Sequence, residues 1–172
     1  MSLTLIKETG AGLVDANSYA DVANGNAYHD GHLYASAWTA ATNAQKAVAL
    51  VMATRVLDAE YRFAGTRANS VQALQWPRVG CPDPDAGDMV PENSVPKAVV
   101  EAACELAREL LIVDRTAAPP GEGQKYYNNG SVQTGYDKSD TRPIIPAVVQ
   151  ALLAKFGSLT KAKSGAVRLV RT

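Results

Sequence analysis

Residues 47–57 read Ala-Val-Ala-Leu-Val-Met-Ala-Thr-Arg-Val-Leu, apolar nearly all the way round a helix. Such a segment cannot lie with one face in water, so several neighbours must cover it and the rest of the chain must fold around it. The helix is predicted from about Asn43 to Tyr61. Near its end Asp58 stands four residues before Arg62, where the two can pair on one face, and Gly65 stops it. A short second helical piece follows, after which Pro77 blocks continuation and pushes Trp76 into an extended conformation. The indole is then expected to press back on the helices, with Arg67 and Arg78 near one another. Arg62, Phe63, Gly65 and Arg67, then Gln72, Leu74, Trp76, Pro77 and Arg78, therefore read as architecture: aromatics, arginines and a backbone brake with no catalytic constellation among them.

The remaining elements follow from caps and breakers. Ser18 can cap a first helix, with Asp21 three residues on. That helix runs to about Asp30, is weakened by Gly25 and ends at Gly31. Leu33, Tyr34 and Trp38 return the chain to the core, and the Pro- and Asp-rich stretch from Gly80 to Asn93 is irregular. A third helix is capped by Ser94 and opens on Pro96, and its apolar stripe is Val99, Ala103, Leu106, Leu110 and Val113. Glu101, Glu105 and Glu109 run down its opposite side, relieved only by Lys97 and Arg108. This ridge is either a solvated face or a receiver of cations from an adjoining subunit. A fourth helix spans about Pro146 to Phe156, and Gly157 ends it. Between the last two helices, residues 125–128 and 131–134 flank Asn129-Gly130, the pair best suited to a tight hairpin turn. Tyr126, Tyr127 and Tyr136 are the hairpin's large side chains, suited to packing, to an interface, or to stacking on bases. The expected fold is mainly α: a small bundle of about four helices with long loops, a short β-hairpin and extended arms. Residues 1–16 form an N-terminal arm, 17–157 a helical domain with a hairpin-like insertion at about 120–141, and 158–172 a basic C-terminal arm.

Searching for chemistry returns negatives. His29 and His32 flank Gly31, which breaks the convergence a metal site needs. Asp83, Asp85, Asp88 and Glu92 fail the calcium-loop pattern, because Pro84 intrudes and Gly87 comes one place early. No phosphate-binding glycine loop or nucleophile elbow is present. The expectation is no enzyme, no catalytic residue, no metal and no cofactor. Cys81 and Cys104 have neither metal nor disulfide spacing, and reduced thiols are expected. With no signal segment and no run of eighteen apolar residues, neither secretion nor membrane insertion is expected.

The zero net charge hides an asymmetry. Residues 141–172 carry Arg142, Lys155, Lys161, Lys163, Arg168 and Arg171 and no acid, which leaves 11 basic and 17 acidic side chains in the first 140 residues. The basic end can fold back on its own acidic body, or reach a neighbour.

Asn17-Ser18-Tyr19-Ala20-Asp21-Val22, the Arg62–Arg67 and Gln72–Arg78 runs, and the segment from Ser94 to Ala103 together resemble a family of small tailed-bacteriophage and prophage proteins labelled DnaT-like. The likeness covers roughly residues 14–115. Its members look like head-tail connectors (adaptor or head-completion proteins), which form a ring under the portal. The resemblance implies a dodecameric ring of this chain that touches the portal and a downstream neck, stopper or tail protein. DNA would pass through its lumen without sequence-specific binding. The protein would sit in the virion neck after assembly in the host cytoplasm. In that setting Lys161, Lys163, Val167, Arg168, Leu169 and Arg171 would dock on the portal, and Glu101, Glu105 and Glu109 would meet a neighbour. The family label implies the alternative, a single-stranded-DNA-binding protein, for which the arm, Arg62, Arg67, Arg78 and the tyrosines would supply phosphate and base contacts.

Overall fold

In the computed structural model, which describes residues 3–117 and 142–160 and the backbone of two strands at 126–129 and 132–135, the apolar segment forms the middle of α3 (Asn43–Glu60). Thr42 caps it by accepting the Gln45 backbone N–H, while the Gln45 side chain accepts the Thr42 N–H. These two bonds satisfy donors that a helix start otherwise leaves orphaned. Ala49, Leu50, Ala53, Val56 and Leu57 are buried along α3.

The hub is α4 (Lys97–Ile112), against which α3, α1 (Val22–Asp30), α2 (Ser36–Ala40) and α5 (Ala147–Leu153) all pack. Its stretch from Ala102 to Arg108 is buried without interruption. The small side chains of Ala102, Ala103, Cys104 and Ala107 let neighbours approach from several sides at once. A single core joins Trp38, Leu50, Leu57, Trp76, Val99, Leu106, Val149, Leu153 and Phe156.

Eight short strands accompany the helices among the described residues, as four antiparallel pairs. β1 (Tyr61–Phe63) pairs with β8 (Gly157–Leu159), β2 (Thr66–Arg67) with β3 (Arg78–Val79), β4 (Pro82–Asp83) with β5 (Asp88–Met89), and β6 (Tyr126–Asn129) with β7 (Val132–Gly135). The mainly-α bundle of about four helices is therefore corrected to a mixed α/β fold, with five helices among the described residues. Strands of two to four residues are too short to show alternation, and β1 and β8 pair although far apart in the sequence. No helix forms between Gly65 and Trp76; β2 and a loop held by side chains take that place.

Local corrections have local causes. Asp21, rather than Ser18, caps α1, in a capping box with Asn24; Ser18 is buried and donates to the Ala20 carbonyl. Ser94 does not cap α4, because its hydroxyl bonds Pro91 and the helix starts behind Pro96. Asp58 does not pair with Arg62, since α3 stops at Glu60 and Arg62 lies on β1. Residues 5–18 are folded onto the body instead of forming an extended arm. Buried Glu8 accepts the backbone N–H groups of Gly10 (2.8 Å), Gly12 (3.0 Å) and Leu13 (2.8 Å). Gly10 has φ +100°, and a Cβ there would lie 2.1 Å from the Asn93 carbonyl oxygen, so no side chain fits. At the other end, residues 158 and 159 belong to β8 rather than to an arm. In the hairpin, Asn129 faces Val132, one residue later than the Asn-Gly turn predicts.

Candidate nucleic-acid interface

Alternation along β1 sends Tyr61 and Phe63 into the core and Arg62 outward. Arg62 borders a cleft of about 380 Å³ whose other walls are Tyr61, Phe63, Gly65, Gln75, Arg78 and Thr160. Among the described residues neither Arg62 nor Arg55 makes an ion pair, whereas Lys7, Lys97, Arg108, Arg115 and Lys155 all do. Arg67 is exposed on β2 and donates to the Gln72 carbonyl at 3.3 Å. In the β2–β3 register it stands opposite Arg78, as the sequence suggests.

Arg78 itself is not available to phosphate. It is buried, and its guanidinium donates to the carbonyls of Ala64 (2.7 Å), Gln75 (3.0 Å), Phe63 (3.3 Å) and Gly65 (2.7 Å) and to the Gln75 side chain (3.1 Å). Burial lowers its pKa from the usual value. The planar fork ties the 63–65 turn to the loop before β3. Gly65, at φ +71°, completes this packing, because a Cβ there would sit 2.2 Å from the Val79 carbonyl oxygen. Gln72 is equally inward: its amide donates to the Leu74 and Pro77 carbonyls and accepts from Asn69. Leu74 and Trp76 are core residues, the Trp76–Pro77 peptide is cis, and the Trp76 indole meets Phe63 and Phe156 edge-on at 5.6 and 5.8 Å. Of the sequence motif, only Arg62 and Arg67 face solvent with charge.

Sequence reasoning missed what holds this region to α3. The Tyr19 hydroxyl donates to Asp58, and it accepts the N–H groups of Gln75 (3.1 Å) and Trp76 (3.3 Å). The other Asp58 oxygen accepts Gln75 N–H at 3.0 Å. Burial pushes the Asp58 carboxyl up to about 6, against the lowering pull of its bonds to Tyr19 and Gln75 and of the Arg78 charge. The ordinary value of 3.8 holds in the unfolded chain. The folded form therefore binds this proton more tightly, and the cost of ionising Asp58 is absent below about pH 4 and complete above about pH 6. Relative to Asp58→Asn, wild-type stability should fall by about 2–3 kcal/mol between pH 4 and 7.5, since each tenfold difference in proton affinity between the folded and unfolded chain is worth about 1.4 kcal/mol. Urea midpoints of both proteins across that range measure it, and a constant difference would contradict the buried carboxylate.

The acidic ridge on α4 is already paired within the chain. Glu101 meets Lys97 at 3.4 Å, Glu105 meets Arg108 at 2.5 Å, and Glu109 meets Arg108 at 2.7 Å and Arg115 at 2.9 Å. Glu105 is only 2% exposed, and the α1–α2 connection lies against it and Arg108 through His32 and the Tyr34 carbonyl. The bonds to Glu105 raise the Arg108 pKa. Arg115 continues the chain of contacts to the Pro143 and Ile144 carbonyls.

The Thr160 N–H donates to the Glu60 carbonyl at 2.8 Å, and there the described body ends, beside Arg62. Lys161, Lys163, Val167, Arg168, Leu169 and Arg171 lie outside the described residues, as do Tyr136 and the side chains of Tyr126 and Tyr127. Among the described residues, no group of three or more His, Cys, Asp or Glu side chains could hold a metal. His29 is buried, with Nε2 3.1 Å from the Cys104 carbonyl oxygen. No helix among them is long and apolar enough to cross a membrane.

Compared with known proteins, residues 3–172 match the sequence model of one family, described as a proposed DnaT-like ssDNA binding protein. No curated protein and no solved structure matches. This finding overturns the connector reading in favour of the alternative. The match points to single-stranded DNA, and nothing in it indicates a portal, a neck, stopper or tail partner, a dodecameric ring, or DNA sliding through a lumen. Phe63, Gln72, Leu74, Trp76 and Arg78, among the residues that carried the resemblance, are buried within this one chain.

Proposed function

We propose that this chain, which belongs to the family of DnaT-like ssDNA binding proteins, binds single-stranded DNA and acts by binding, without catalytic turnover. The observation that carries the reading is the family match over residues 3–172. The placement of charge supports it. Arg62 is exposed beside the point where the chain continues into Lys161, Lys163, Arg168 and Arg171, and Arg67 is exposed on β2. Phosphate neutralisation supplies most of the affinity in such complexes, and the acidic remainder of the body keeps DNA on this side. Tyr61 and Phe63 are buried at the cleft, so base stacking falls to other aromatic groups. In this reading the protein works in the compartment that holds unpaired DNA.

Fluorescence anisotropy of a labelled single-stranded oligonucleotide, titrated at several salt concentrations, tests the reading. Binding should weaken steeply with salt, with a log–log slope of about −0.7 per neutralised phosphate. Removing residues 161–172 takes away four cations and should flatten the slope by up to about 3, while Arg62→Ala should flatten it by about 0.7. Absence of binding even at low salt would reject this assignment, and equal affinity and slope in the truncated chain would remove the C-terminal cations from the interface.

A further inference from the structure

Ala44, Val48 and Met52 of α3 and Leu110 and Leu111 of α4 line an apolar groove of about 450 Å³, with Asp114 just beyond the end of α4. Val48 is 54% exposed and Met52 36%, so no described segment covers them. We propose that this groove is the docking site of the chain's own C-terminal segment, residues 167–171, bound in cis.

Three observations select this occupant. The first is where the chain leaves. β8 runs antiparallel to β1, and Thr160 bonds Glu60, so residue 161 starts at the C-terminal end of α3. Met52 lies eight residues back along that helix and Val48 twelve, about 12 and 18 Å at 1.5 Å per residue. Seven extended residues, 161–167, span up to about 24 Å. The second is the order of the sequence. Lys-Ala-Lys-Ser-Gly-Ala forms a polar and small spacer, and the aliphatic residues Val167, Leu169 and Val170 come only after it. The third is charge. Arg168 and Arg171 alternate with those aliphatic residues, and Asp114 uses one oxygen for Thr116 and Ala117 while its other oxygen has no hydrogen bond among the described residues. A second copy of the chain is the poorer fit, because eight residues line the groove and a stable interface takes about 20–30 a side.

Crosslinking in the full-length chain tests the docking without reference to DNA. The pair Met52→Cys with Leu169→Cys is oxidised at low protein concentration and the disulfides are read by mass spectrometry; native Cys81 and Cys104 are buried. The control pair is Ala59→Cys with Leu169→Cys, because exposed Ala59 lies nearer the exit point and a freely ranging tail would meet it more often. Docking predicts at least a fivefold higher intramolecular yield at Met52 than at Ala59, with the same preference for Val48→Cys. Adding Val48→Asp at this exposed position should remove the Met52 preference. A yield at Ala59 equal to or above that at Met52 and at Val48→Cys, or disulfides that form mainly between molecules, would overturn the proposal.

Discussion

Glu105→Ala is expected to lower the folding free energy by about 3–5 kcal/mol, the usual cost of removing one partner from a buried ion pair. Glu105 is 2% exposed and holds Arg108, itself only 9% exposed, through contacts at 2.5 and 3.5 Å. With Glu105 gone, Arg108 keeps Glu109 and the Tyr34 carbonyl, and the latter contact is already at 3.5 Å. His32, 3.6 Å from Glu105, loses its partner as well. Glu101→Ala, one turn earlier on the same helix, should cost less than about 1 kcal/mol, because its partner Lys97 is 88% exposed and solvent screens the pair. A double substitution, Glu105→Met with Arg108→Met, should recover much of the loss, since well-packed apolar side chains replace a buried pair at little cost. Urea unfolding of the four proteins checks all of this. Equal losses for Glu101→Ala and Glu105→Ala would contradict the burial of the Glu105–Arg108 pair.

That contrast shows where the sequence is readable and where it is not. Helix α3 is legible because its apolar residues leave no wet face, and α4 because its stripe repeats at helical spacing. The acidic residues of α4 look alike in sequence, at intervals of four on one face. What distinguishes Glu105 from Glu101 is the α1–α2 connection, which brings His32 to 3.6 Å from Glu105 and the Tyr34 carbonyl to Arg108, while Glu101 lies a turn nearer the helix start beside exposed Lys97, and that is a tertiary event. The same holds for Arg62, Arg67 and Arg78: Arg78 becomes internal scaffolding through its bonds to the 63–65 turn and Gln75 while the other two stay outside. Strands of two or three residues carry no periodicity, so β1–β8 and β2–β3 are illegible in the sequence. The N-terminal closure, by contrast, does leave a signal. Glu8 followed by Gly10 and Gly12 can wrap backbone N–H groups round a carboxylate, and this closure replaces the expected extended arm.

Trp76→Ala should destabilise the protein by about 3–5 kcal/mol, the range for a large aromatic removed from a packed core. Trp76 is fully buried between Phe63 and Phe156, which bring β1 and the segment after α5 onto the same ring. The loss would therefore loosen the β1–β8 pair and, with it, the cleft beside Arg62. Trp76→Phe should cost far less, about 1.5 kcal/mol or below, because it keeps a ring in place and removes an indole N–H that has no partner among the described residues. Both substitutions are read by urea midpoints. The same burial constrains the DNA experiment: Trp38 and Trp76 are both in the core, so single-stranded DNA stacked on the surface should leave tryptophan emission unchanged while anisotropy rises. Strong tryptophan quenching at saturating DNA would mean that binding opens the core, and Trp76→Phe would then show whether the signal comes from the cleft side.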